Sequence, residues 1–175
     1  VLSLALAVTS CQRGEVSDQA EVAPIGAAVD SLHAAGRFAE ARQAARSRLE
    51  RLRRSPRPVA WKIADAQHAL AMCDELAAAP DSLRRAYSAA VRAAATSDSL
   101  ENVGEVAESE KILERRVAVE RAVFGERDPA VAATLVTLSL SRARLGKLSQ
   151  AFSDARQGLA LADRKSTRLN SSHLV

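Results

Sequence analysis

His33, His68, Cys11, Cys73 and the glutamates Glu105, Glu108 and Glu110 are the residues whose types could carry chemistry in this chain. Two imidazoles and a thiol would make a metal site or a nucleophile–base pair if they converged. His33 and His68 fall on different predicted helices, with no Cys or His at ligand spacing from either, so no metal site is expected. Cys73 lies on the apolar stripe of its helix, where a buried thiol is inert. Glu105 and Glu108 are three residues apart, the patterning of a solvated helix face, and Glu110 is read with them. No glycine-rich phosphate loop and no nucleophile elbow is present. The expectation is therefore no catalytic residue, no metal and no cofactor, which leaves binding as the use of the chain.

The elements that would present a binding surface are helices. Nearly half of the 175 residues are apolar (47%), yet only 3% are aromatic. Alanine, the best helix former, carries much of that fraction, and strand formers are sparse. The fold class is all-α, with closely packed antiparallel helix hairpins, about seven helices in all. Pro24 opens the first, with Ile25, Ala28, Val29 and Leu32 on one stripe. The second runs from Phe38 to Leu52 and stops at Ser55-Pro56. One long helix is predicted over Pro58–Ala78 and another over Ser82–Ala95, and Trp61 and Tyr87 are both expected in the core. Ser82–Leu100 is either a single frayed helix reaching Gly104 or a helix standing unpaired. Two further helices follow, through Ile112 to Phe124 and through Val131, Leu135, Leu138 and Ala143. Asp128-Pro129 supplies the start of the latter, Asp as cap and Pro at the first helical position. Leu148, Ala151, Phe152, Ala155 and Leu159 continue one stripe on the last helix.

Three turns share one grammar, a glycine followed two residues later by a large apolar residue and five later by a small one. They are Gly36, Phe38 and Ala41; Gly104, Val106 and Ser109; and Gly146, Leu148 and Ala151. Glycine supplies the left-handed conformation that reverses the chain, and the small residue lets two helices approach. These turns resemble tetratricopeptide repeat (TPR) hairpins. The run ERRVAVERAVFGERDPAVAATL, Glu114 to Leu135, is similar to the kinesin-light-chain-like subfamily. The last two glycines are 42 residues apart, the period of that subfamily, and the first two are 68 apart, about twice the common TPR period. The resemblance implies an α-solenoid that binds a protein or peptide in a groove lined by the first helix of each hairpin. On the hairpin from Asp128 to Ala162 the groove positions are Ala133, Val136, Thr137, Leu140 and Arg144. Family members often place an Asn pair there. Val136 and Thr137 stand instead, which favours an apolar contact over peptide clamping.

Both ends differ from the helical region. Val8-Thr9-Ser10-Cys11 matches the bacterial lipobox, so residues 1–10 read as a truncated lipoprotein signal peptide and Cys11 as the lipid-bearing first residue of the mature chain. Cys73 then has no disulfide partner within the chain. Residues 11–23 are a polar tether, and Gln12 after the lipidated Cys points to the outer membrane. Asp163 to His173, DRKSTRLNSSH, resembles the in-frame translation of a sequencing-library adapter. Residues 163–175 are accordingly expected to be disordered, with the helical domain spanning 24–162 and incomplete at its C-terminus. Leaving the tail out lowers the formal net charge from +4 to +2.

The Arg42, Arg46, Arg48, Arg51, Arg53, Arg54 and Arg57 face is interrupted by Glu40 and Glu50 and lacks stacking aromatics, so it reads as a solvated face rather than a nucleic-acid or anionic-lipid surface. The expected function is a non-enzymatic protein-interaction adaptor, anchored in the bacterial envelope by Cys11 and facing the periplasm, with no nucleic-acid partner. The alternative is the N-terminal TPR region of a longer enzyme such as a CHAT-type caspase-like protease.

Overall fold

The computed structural model describes residues 28–171, with side chains as far as 162. Cys11, Pro24 and Ile25 lie outside the described residues. The fold is all-α, without a strand among the described residues. In chain order the helices are α1 (28–34), α2 (Phe38–Arg54), α3 (Ala60–Ala78), α4 (Asp81–Ala94), α5 (Ser97–Asn102), α6 (Val106–Phe124), α7 (Pro129–Arg144) and α8 (Leu148–Ser171).

The three glycine turns are one structure. Gly36, Gly104 and Gly146 have φ of 73°, 88° and 74°. At each, the glycine N–H donates to the carbonyl three residues back, and the next N–H donates to the carbonyl five residues back, as in Arg37 to Leu32 at 2.8 Å, Glu105 to Leu100 at 2.8 Å and Lys147 to Arg142 at 2.9 Å. This is the Schellman closure, which satisfies the last carbonyls of the outgoing helix and requires a left-handed residue. The small residue five positions after each glycine, Ala41, Ser109 or Ala151, is buried. The Asp128-Pro129 start also forms as its sequence implies: Asp128 Oδ1 accepts the Ala130 N–H at 2.7 Å.

The centre resolves in favour of a broken helix. α4 ends at Ala94, and after Ala95-Thr96 the short α5 leads into Gly104. Both α4 and α5 pack on α6. Together they do the work of a single first helix, and α5 is the one element the sequence reading did not separate. α4 also closes the open end of α1: Ser88 Oγ donates to His33 O at 2.7 Å and Arg92 Nη1 to Ala34 O at 3.0 Å. Tyr87 is buried there, as expected, edge-on to Phe124 of α6 at 5.4 Å and to His33 of α1 at 5.6 Å.

Two expectations are corrected. Trp61 is not in the core but 65% exposed. α3 begins at Ala60 rather than Pro58, with no side-chain cap. Trp61 therefore sits in the first turn, while the α2–α3 core cluster starts deeper, with Ile63 and Ala66 against Leu49 and Leu52. The helical pattern also does not stop at Ala162. α8 continues to Ser171, so 163–171 is helical rather than disordered. Once a helix is nucleated and docked, each added residue gains a hydrogen bond without a new nucleation penalty, and Arg, Lys and Leu are good formers.

Candidate protein-docking surface on α7 and α8

The 68-residue spacing of the first two glycines extends well beyond the turns. α2 packs on α3 as α6 packs on α7, and adding 68 to the bounds of the first pair gives those of the second to within two residues. Ala45, Leu49 and Ile63 correspond in this way to Leu113, Val117 and Val131, which are the core residues of the two seams. An ion pair occupies the same place in both with its signs reversed. Arg42 of α2 pairs with Asp74 of α3, and Glu110 of α6 pairs with Arg142 of α7. A second polar contact is also duplicated. His33 Nε2 lies 3.4 Å from Cys73 Sγ, and at the corresponding positions Glu101 accepts from the Ser141 hydroxyl.

The second seam is the more deeply built. Arg142 reaches Glu110, Glu114 and Asp154, while Lys147 adds a second cation to Glu110. Glu110 is therefore buried, not part of a solvated face as its sequence context implied. Burial alone would raise its pKa, but hydrogen bonds from Lys147 and Arg142 outweigh that and hold it below the usual carboxylate value. Glu101 behaves alike. Burial opposes its ionisation, and bonds from the Ser141 and Ser109 hydroxyls, with Arg144, bring the pKa down. Ser109, the substitute for alanine in the second turn, thus has a polar reason to be there.

Aligned on their glycines, the three turns show what α8 lacks. Arg42, Ala45 and Leu49 on α2 correspond to Glu110, Leu113 and Val117 on α6, and to Phe152, Ala155 and Leu159 on α8. On α2 this stripe faces α3, and on α6 it faces α7. On α8 no helix among the described residues covers it: Phe152 is 72% exposed, Leu159 60% and Leu148 57%. The large residues of the sequence stripe, Leu148, Phe152 and Leu159, are therefore not on the face that joins α8 to α7. That face is turned to one side and carries Ala151, Asp154 and Gly158, which are buried. A Cβ on Gly158 would come within 3.0 Å of Ala132 O and of Val136 Cγ2, so the two helices meet where glycine leaves room.

The groove residues proposed on α7 do share an exposed side: Ala133, Val136, Thr137, Leu140 and Arg144. Two of them are already engaged, since Thr137 Oγ1 donates to Ala133 O at 3.2 Å and Arg144 pairs with Glu101. Val136 lies against Gly158 of α8, which leaves Leu140 as the main unengaged apolar group of this row.

Sequence spacing also hid the pairing of His33 with Cys73, 40 residues apart and both buried. Burial pushes the His33 pKa down to about 4 and, with the nearby Asp74 charge, the Cys73 thiol up to about 11. Both groups are neutral near pH 7, so this is a packed polar contact and not an activated thiolate. His68, on the same helix as Cys73, is in a different contact, its Nε2 3.4 Å from Asp128 Oδ1. No group of three or more His, Cys, Asp or Glu that could hold a metal is present among the described residues. Nor is any helix among them long and apolar enough to cross a membrane. Comparison with known proteins returns no matching family model, no matching curated protein and no matching solved structure.

Proposed function

We propose that this chain is a TPR-like helical-repeat scaffold of the bacterial envelope, non-enzymatic, whose α8 stripe is a docking face for an amphipathic helix. The observation that carries the reading is the uncovered stripe of Leu148, Phe152 and Leu159, placed where α2 and α6 are each covered by a following helix. Burying Phe152 and Leu159 would contribute on the order of 2 kcal/mol each, enough for two such residues to anchor a helix. The left-handed glycine turns and the buried small residues beside them support the kinesin-light-chain-like hairpin reading. The neutral, buried His33–Cys73 pair argues for structure over nucleophilic catalysis. The envelope location rests on the lipobox ending at Cys11, and the acyl chains there would hold the protein to the outer membrane.

A photo-crosslinking residue in place of Phe152 tests this in living cells. Adducts are expected at position 152, diminished when Leu159→Asp is added, and none at exposed Gln43 on α2. Equal yields at both positions would contradict the reading. In the same cells an alkynyl fatty acid should label the chain and leave the Cys11→Ala form unlabelled; equal labelling would remove the lipid anchor.

A further inference from the structure

Trp61 is the largest side chain of the molecule to stand out in solvent, and its surroundings are chemically one-sided. From Arg51 to Ala64 the chain carries Arg51, Arg53, Arg54, Arg57 and Lys62 and no acidic residue. Arg53, Arg54 and Arg57 are exposed, as are Pro56, Pro58 and Val59. Lys62 Nζ lies 5.8 Å from the Trp61 ring centroid. Of the two acidic residues that bound this corner, Asp65 is turned to Arg48 outside it at 3.3 Å, and Glu50 makes a long 3.7 Å pair with Arg54, whose side chain stays 82% exposed. The basic α2 face, bland in the sequence because no aromatic interleaves it, thus ends at a corner that brings it beside an exposed tryptophan.

We propose that the corner from Arg53 to Lys62 rests on an anionic lipid surface, with Trp61 and Val59 at headgroup depth and Arg53, Arg54 and Arg57 on lipid phosphates. Tryptophan prefers the interface, where its ring is shielded and its N–H stays wet. Guanidinium groups pair with phosphate by two parallel hydrogen bonds, and clustered cations are drawn to an anionic leaflet. Charge complementarity alone would also suit a nucleic acid. Single-strand binding, however, uses a series of aromatic platforms along a groove, and here one ring sits on a connection that two prolines stiffen.

The proposal does not depend on acylation, so it is tested on the full Cys11→Ala chain. Trp61 is the sole tryptophan, and its emission reports this corner whatever residues 1–10 do. Vesicles of equimolar phosphatidylglycerol and phosphatidylcholine should shift that emission to the blue and sediment with the protein, whereas pure phosphatidylcholine should not shift it. Arg53→Gln, Arg54→Gln and Arg57→Gln combined should weaken the partitioning on the order of 100-fold with an unchanged circular dichroism spectrum. High salt should act in the same direction, and Trp61→Ala should reduce co-sedimentation. An emission unmoved by anionic vesicles, moved equally by neutral ones, or indifferent to the triple substitution overturns the proposal. So does a shift given by an oligonucleotide and not by vesicles, which would make nucleic acid the partner.

Discussion

Arg142→Met should lower the stability of the chain by about 3 kcal/mol in chemical denaturation, because it leaves buried carboxylates without their counter-charge. Methionine keeps most of the stem volume, so the loss reports charge rather than packing. Glu110 and Asp154 are largely buried and both are held by this guanidinium. Lys147 remains for Glu110, which limits the loss to the lower part of the range for broken buried pairs. The corresponding substitution in the first seam gives the contrast. Arg42 and Asp74 are each about half exposed, at 46% and 48%, and Arg42→Met should change stability by less than about 1 kcal/mol. Similar losses at the two positions would show that the second seam is not anchored by its arginine.

Acid should destabilise the α1–α3 region through His33 before Glu101 and Glu110 titrate. Burial holds the His33 pKa at about 4, below the ordinary value of 6.5. The unfolded chain therefore binds a proton at His33 that the folded chain refuses. Stability from this group is fully present above pH 6.5 and is lost as pH falls toward 4. Linkage puts the loss at about 2.5 kcal/mol between pH 7.5 and 4.5. The same sign holds for Glu101 and Glu110, whose folded pKa values are lowered, but their stabilisation is lost only as pH falls from the ordinary carboxylate value of 4.5 downward. His33→Phe keeps a ring against Tyr87 and removes the ionisation. Denaturation midpoints of that variant should not fall from pH 7.5 to 4.5 while those of the parent chain do, since burial raises the pKa of Asp30, Glu75 and Glu120 and these groups add stability as pH drops. Parallel falls in both would assign the effect to other groups.

The parts of the fold that sequence displays are those in which one residue type has no substitute. A Schellman turn needs a left-handed residue, so Gly36, Gly104 and Gly146 stand out wherever the side chains around them differ. Asp128-Pro129 is equally visible, since a cap and a donor-free first residue are both local requirements. The 68-residue correspondence is visible only as a glycine spacing. Its seams keep their geometry while reversing charge, Arg42 to Glu110 and Asp74 to Arg142, and comparing residue identities conceals what comparing roles reveals. Glu110 looks solvated beside Glu105 and Glu108 because its partners lie 32 and 37 residues away. Trp61 looks like core because large rings usually are, and only the point at which α3 begins decides that it is not. On α8, Phe152 and Leu159 read as ordinary helix-stripe residues, and nothing local says which of two adjoining faces meets α7.

A peptide titration decides most directly whether that stripe is a docking face for a helix. The α7 segment, 128–145, covers the matching face of α6, where Arg142 meets Glu110 and Glu114. On α8 those two positions are Phe152 and Arg156. A fluorescent 128–145 peptide carrying Arg142→Glu should therefore bind the full chain more tightly than the parent peptide. The preference should invert on the Arg156→Glu chain, and both peptides should lose affinity for the Phe152→Asp chain. If neither peptide binds, or if both bind the Phe152→Asp chain as well as they bind the parent, the exposed stripe of α8 is not a helix-docking surface.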